Sequence, residues 1–337
     1  MGRVSTEPAP TPVPAPRSTG DAAVLTRSRA ELAAALAAAP GPRAVVMTMG
    51  ALHEGHFDLV REAARRVGPA GTVVVTIFVN PLQFAPTEDL DSYPRDLEGD
   101  LAGLTRTLAG TDGALGLGRL IVFAPTPEVI YPAGQPAVRI DPGPIATVLE
   151  GRTRPTHFAG VCQVVLTLMH LTAPRWALFG RKDAQQLAII EAMVRDLAVP
   201  LEIVPVDIRR ESDGLAMSSR NAYLSPEQRR QALALSRALR AGHDAAAQTS
   251  GARPDPAAIR RAALASLEAA DGVEIDYVAL VDPAGFEDLT DAGLGLPRRA
   301  PVHEDTGEGL PAVGLLAVAA RVGTTRLIDN TLIDLHP

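Results

Sequence analysis

From Arg43 onward, short β-branched runs alternate with stretches in which apolar residues return at helical spacing. The runs over residues 44–47, 72–79, 120–123, 176–179 and 201–206 are apolar at most positions, as strands covered on both faces tend to be. Helical patterns fill residues 57–67, 97–108, 161–171 and 183–197. This βαβ alternation predicts an α/β fold, a parallel sheet with helices on both faces. Asp183 with Gln186 three residues on reads as a capping box. A second box, Ser225-Pro226-Glu227-Gln228, heads an Ala-rich helix running to about Ala247. After Arg220 the pattern becomes helix, helix, then strands over 273–281 and 313–322. A boundary near 208–212 therefore separates a larger domain, 23–208, from a smaller α+β domain, 209–337. Residues 294–311, rich in proline and glycine, read as a surface loop insert, and residues 1–22, with prolines at every second position from Pro8 to Pro16, as a disordered tail.

Composition narrows the function. A chain of 337 residues exceeds the usual limit of one core, and 46% hydrophobic against 21% charged residues suits a globular protein. The net charge of −7 argues against a general nucleic-acid partner, which would need clustered Lys and Arg, and favours a small substrate. No apolar run approaches the ~20 residues that span a bilayer, and the tail lacks the apolar stretch of a secretory signal. The single Cys162 allows neither an internal disulfide nor a cysteine zinc site and reads as a small buried apolar residue. The expectation is a cytoplasmic enzyme.

The chemistry concentrates where strands run through glycine into helices. Thr48-Met49-Gly50-Ala51-Leu52-His53-Glu54-Gly55-His56 follows a predicted strand and opens a predicted helix. Such a turn binds phosphate, because glycine lets the backbone approach and the helix start offers free N–H groups. His53 and His56, three residues apart, can face one phosphate chain; a His-Glu-x-x-His zinc site would need them four apart. Phe179-Gly180-Arg181-Lys182-Asp183 repeats the strand, glycine and helix order and sets Lys182 at the C-terminal sheet edge, where open α/β sheets bind ligands. Asp213-Gly214-Leu215-Ala216-Met217-Ser218-Ser219-Arg220-Asn221 is a polar loop suited to a polyphosphate. Asn80-Pro81-Leu82-Gln83-Phe84 and Arg154-Pro155-Thr156-His157-Phe158 are polar islands that, taken singly, fit turn chemistry as well as a site.

Together with Tyr93-Pro94-Arg95, Gln185-Gln186 and the segment Arg321 to Asn330, these stretches resemble pantothenate synthetase, the pantoate–β-alanine ligase family of the nucleotidyltransferase superfamily, from about residue 24 to the C-terminus. The resemblance implies a Rossmann-like domain that binds ATP and pantoate, a C-terminal lid domain and a homodimer. It implies that pantoate and ATP form pantoyl adenylate, from which β-alanine displaces AMP. It assigns charge stabilisation to His53, His56 and Lys182. It places Met49, Gly50, Gly55, Gly180, Asp183, Arg209, Met217, Ser218, Ser219 and Arg220 around ATP, and Gln83, Gln186 and Arg154 around pantoate and β-alanine. Mg²⁺ is expected on the phosphates, near Asp100.

The chain departs from the family pattern at Met47 (usually Pro), Arg181 (acidic), Ala184 (aromatic) and Arg209 (small apolar). Two rival readings follow: a sister nucleotidyltransferase with the same His-x-Gly-His turn, and a paralogue that binds nucleotide without catalysis. Gln83 and the Arg154 segment weigh against the first. Intact His53, His56, Lys182, Ser218, Ser219 and Arg220 weigh against the second.

Overall fold

The computed structural model describes residues 17–18, 23–84, 90, 93–109, 119–248, 253–290 and 311–336. Strands β1 (Arg17–Ser18), β2 (Ala23–Thr26), β3 (Arg43–Thr48), β4 (Thr72–Ile77), β5 (Arg119–Phe123), β6 (Trp176–Gly180) and β7 (Glu202–Val206) form one sheet in the order β1-β2-β5-β4-β3-β6-β7. Every pairing from β2 to β7 is parallel; only β1 runs antiparallel, opposite Val24 and Leu25. Two residues expected in a disordered tail thus make a sheet edge, a pairing with no hydrophobic pattern to announce it. Otherwise the tail and the 294–310 insert lie outside the described residues.

Side chains of β3 alternate between two cores. Ala44 and Val46 pack with α2 (Glu54–Val67) and α3 (Leu97–Ala109), while Val45 packs on the other face with α1 (Arg29–Ala37), α6 (His157–Thr172) and α7 (Ala184–Asp196). Cys162 lies in that second core, fully buried, its thiol pushed up to about 11 by burial. The short helices α4 (Pro127–Ile130) and α5 (Glu150–Thr153) lie in the connection between β5 and α6. The chain leaves β3 toward β4 and leaves β6 toward β7, so neighbouring strands diverge at their C-terminal ends. This is the switch point at which such sheets bind ligands.

The C-terminal layer contains α8 (Pro226–Ala247), α9 (Pro256–Glu268) and an antiparallel sheet β10-β9-β8, from β8 (Val273–Val281), β9 (Val313–Val322) and β10 (Thr325–Asp334). Val278 and Leu280 face the helices. Tyr277, Ala279 and Val281 face the other way and pack with Val148, Leu149 and Ala188 of the larger layer. The Ser225 and Gln228 capping box is present at the start of α8. The expected Asp183 and Gln186 box is absent: Asp183 occupies the N-cap position without a side-chain cap bond.

Gly160 in α6 sets how closely that helix meets the turn at Pro81–Gln83. A Cβ there would drive into the Leu82 carbonyl, and the Gly160 carbonyl accepts from Asn80 Nδ2 at 3.0 Å. Alanine normally adds about 1 kcal/mol to a helix interior, but forced overpacking costs about 1–3 kcal/mol. Gly160→Ala should therefore lower the melting temperature; a rise would mean that the turn moves freely.

Candidate active site

After β3 the backbone turns through Gly50, at φ +90° in the left-handed region that suits glycine. A Cβ there would sit 3.1 Å from Asp100 Oδ2. Asp100 lies buried on α3 and accepts the N–H groups of Leu52 (2.7 Å) and Ala51 (3.1 Å). Its carboxyl is raised by burial, against the lowering by those two bonds. Each oxygen thus accepts one N–H of the loop. No group of three or more His, Cys, Asp or Glu among the described residues could hold a metal. The described residues form no all-protein cage for Mg²⁺, and Asp100 anchors the 49–53 turn.

At the start of α2 the two histidines cap the helix together. His53 Nδ1 accepts the Gly55 N–H at 3.2 Å, and His56 Nδ1 accepts the His53 N–H at 3.3 Å. The rings lie 4.1 Å apart. An acceptor at Nδ1 fixes the neutral tautomer with its proton on Nε2, so each ring keeps one donor free of the cap. Burial, with His53 and Lys182 nearby, drives His56 down to about 3. Burial and Lys182 also lower His53. Two neutral imidazoles at a helix N-terminus offer Nε2–H donors to an anion.

Lys182 stands in the neighbouring turn, between β6 and α7. Its side chain is mostly buried, with Asp183 4.0 Å from the ammonium. Asp183 opens to the cavity rather than capping α7. Burial would raise its carboxyl, but Lys182, Arg220, His157 and His56 together hold it below the ordinary range. Arg181 pairs with Asp207 at 3.2 Å, which offsets its charge beside the phosphate turn.

The third loop is tied by its own ends. Arg210 and Ala216 form an antiparallel bridge, and the Met217 N–H donates to the Arg209 carbonyl at 2.8 Å. Asn221 donates to Glu211 and to the Ala216 carbonyl, and Arg229 grips Glu211 and Asp213. Ser219 and Arg220 are left exposed at the tip, while the Ser218 hydroxyl accepts the Arg220 N–H. The Arg209 side chain turns to Asp58 at 3.3 Å, away from its own backbone contacts.

A cavity of about 610 Å³ lies between the two layers, and its wall includes Arg154, His157, Lys182, Asp183, Gln186 and Arg220. Met49, Gly50, His53, Gly55, His56, Gly180 and Ser219 are not in that wall, nor is Ser218, which meets Lys182 and Arg220 in a smaller adjoining cleft. Gln83 also stays behind the wall, buried. Its side-chain amide touches Met49 Sδ and Asn80, while its backbone carbonyl accepts from Arg154 at 3.4 Å and contacts His157 Nδ1 at 3.2 Å. Gln185 is structural: it bonds the carbonyls of Ile145 and Val148 and the N–H of Glu150. Sequence reasoning assigns no role to His157, Asp329 or Asn330, although all three lie in segments that carry the resemblance.

Comparison with known proteins agrees with this geometry. Residues 24–332 match the family described as pantoate-beta-alanine ligase. The chain is 50% identical over 315 residues to a pantothenate synthetase of Nocardioides sp., covering 92% of this chain and 85% of the relative. It is 54% identical over 288 residues to pantothenate synthetase 4 of Frankia alni, covering 86% and 82%. A crystal structure of the Thermus thermophilus enzyme superposes with a TM-score of 0.75 at 41% identity, over 93% of this chain and 99% of that one. A Francisella tularensis pantoate-beta-alanine ligase, crystallised with "Beta-gamma ATP and Beta-alanine", superposes with a TM-score of 0.65 at 27% identity, over 91% and 97%. With the fold, the phosphate turns and these matches in agreement, the chain belongs to the pantoate–β-alanine ligase family.

Proposed function

We propose that the chain condenses pantoate with β-alanine through a pantoyl adenylate formed from ATP, using the site between the two layers. The ligase activity follows from the family. The adenylate route is supported by one observation: a pair of neutral imidazoles at the start of α2 stands within electrostatic reach of Lys182 at the end of the adjacent strand β6. These groups suit phosphate, and among the described residues no activated nucleophile stands at the site; the one thiol is buried in the core. In the first step a pantoate carboxylate oxygen bonds to the α-phosphorus as the bond to the pyrophosphate oxygen breaks. In the second, the β-alanine amine bonds to the acyl carbon, AMP leaves with the bonding pair, and the amine loses a proton.

Chemistry of this kind needs in-line placement and relief of phosphate charge more than proton transfer. The Nε2–H groups of His53 and His56 and the Lys182 ammonium provide that relief. Met49, Gly50, Gly55, Gly180, Asp183, Met217 and the Arg209 backbone frame ATP, and Ser218, Ser219 and Arg220 close over its phosphates. Gln83 and Gln186 hold pantoate, Gln83 also lying toward the β-alanine site, and Arg154 completes the pocket. Mg²⁺ enters with the ATP phosphates, and no step here depends on a protein ligand for it. The 209–337 layer acts as the lid. The resemblance extends the proposal to a homodimer, which a molar mass in solution tests, and to a cytoplasmic setting. None of the described helices is long and apolar enough to cross a membrane.

Purified protein given ATP and Mg²⁺ should release AMP and make pantothenate only with both pantoate and β-alanine, and should exchange pyrophosphate into ATP with pantoate alone. Exchange that required β-alanine would rule out a free adenylate. Gln186 lines the cavity, and a polar side chain bonded to a substrate hydroxyl discriminates because its loss leaves that hydroxyl unpaired. Gln186→Ala should thus raise KM for pantoate well above any change in KM for ATP. Unchanged pantoate kinetics would remove Gln186 from the pocket.

A further inference from the structure

The turn that carries Lys182 has little local support. The pairing of β6 with β7 ends at Gly180 opposite Val206, and only a three-residue 3₁₀ turn separates it from α7. The carbonyls of Arg181 and Lys182 are instead satisfied from the other layer. Asn330 of β10, 6% exposed, donates its side-chain amide to both, at 3.0 and 2.9 Å.

Its neighbour Asp329, 3% exposed, serves the other phosphate loop. Asp329 accepts both guanidinium arms of Arg210, at 2.7 and 3.1 Å, and Arg210 donates to the Gly214 carbonyl at 3.1 Å, at the head of the loop that ends in Ser218, Ser219 and Arg220. The Asn330 backbone N–H donates to Asp329 Oδ1 at 2.8 Å, so the Asp329 carboxylate is tied to the main chain from which the Asn330 amide projects. A bidentate pair and an amide with two carbonyl partners have few alternative geometries.

We propose that Asp329 and Asn330 are positioning residues that hold the Lys182 turn and the 213–220 loop in one frame, so that seating the C-terminal layer and aiming the lysine are a single event. This rests on the adenylation reading of the same site. Among the described residues the ammonium's ion-pair partner is Asp183 at 4.0 Å, too long to fix its direction, so the backbone sets the aim of Lys182, and misplacement by about 1 Å costs on the order of 10²-fold in rate.

The test is a double-mutant cycle on single-turnover AMP formation with saturating pantoate and β-alanine. Wild type must first make AMP and pantothenate; failure there sinks the adenylation reading and not the positioning one. Asn330→Ala should lower the rate on the order of 10- to 10²-fold with KM for ATP little changed, and should cost less than about twofold in a Lys182→Ala background, because residues acting through one group are non-additive. An equal loss in both backgrounds overturns the proposal, since a general structural defect does not depend on the lysine. Should the alanine variant fail to fold, Asn330→Asp keeps the side-chain volume while turning an acceptor toward two carbonyls. It should show the same loss and the same dependence on Lys182, and a wild-type rate in that variant likewise overturns it.

Discussion

Replacing His56 by alanine should slow pantoyl adenylate formation on the order of 10²-fold or more, the scale seen when a charge-stabilising donor is lost. Two effects contribute. The variant loses the Nε2–H donor, and it frees the His53 N–H from its cap, loosening the second imidazole. His56→Gln separates them, since a glutamine can restore a cap bond without the imidazole; it should recover stability but little rate. The histidine also predicts a pH signature. In the folded chain His56 titrates near 3, in the unfolded chain near 6.5, so between those values only the unfolded state takes the proton. Stability should therefore fall as pH drops from about 6.5 toward 3, by up to about 5 kcal/mol at ~1.4 kcal/mol per pKa unit. Denaturant midpoints across that range should show a shallower slope for His56→Gln. Adenylation by a folded His56→Ala variant at near wild-type rate would falsify the assignment.

The parallel sheet is legible because its strands are apolar nearly throughout and its helices periodic; β6 and α7 fall within a residue or so of expectation. Strand β2 and helix α1 are not. They precede the first strong alternation, and α1 is so rich in alanine that its buried Leu32 and Leu36 make a faint stripe. Strand β10 is hidden for another reason: Thr325–Asp334 mixes charged, amide and apolar residues because Arg326 and Asn330 point at the other layer rather than at water. At the site, glycines and histidines at strand-to-helix turns announce the phosphate loops, since their role is local in sequence. Asp100 is expected near Mg²⁺ by resemblance, and its hold on the loop has no signal in the sequence. Its work on the 51–52 backbone connects residues about fifty positions apart, which no local pattern records. Asp183 fails as a cap because the charges of Lys182 and Arg220 offer its carboxylate a better setting than the helix start does.

Arg326→Met should lower the melting temperature by roughly 6–20 °C, on about 3–5 kcal/mol for breaking a buried ion pair and about 2–4 °C per kcal/mol for domains of about 150–250 residues. Arg326 fastens the two layers. It binds both oxygens of Glu150, at 2.6 and 2.7 Å, and Asp276 at 2.6 Å, with the Arg326 and Glu150 side chains each only 15% exposed. Tyr277 donates its hydroxyl to the same Glu150 at 2.9 Å, and burial with that carboxylate keeps the phenol protonated well above its ordinary range. Without the guanidinium, Glu150 stays buried beside a hydroxyl and a second carboxylate. Adding Glu150→Gln to Arg326→Met removes the stranded charge and should recover much of the loss, because a buried pair is costly to break yet often cheap to replace. The consequence reaches the site: Glu150 begins α5, whose C-cap residue is Arg154 in the cavity wall. The single variant should also show a raised KM for the substrate carboxylates, and the double variant a smaller rise. A single variant melting within a degree or two of wild type would mean that the apolar contacts of Tyr277, Ala279 and Val281 with Val148, Leu149 and Ala188 hold the layers together unaided.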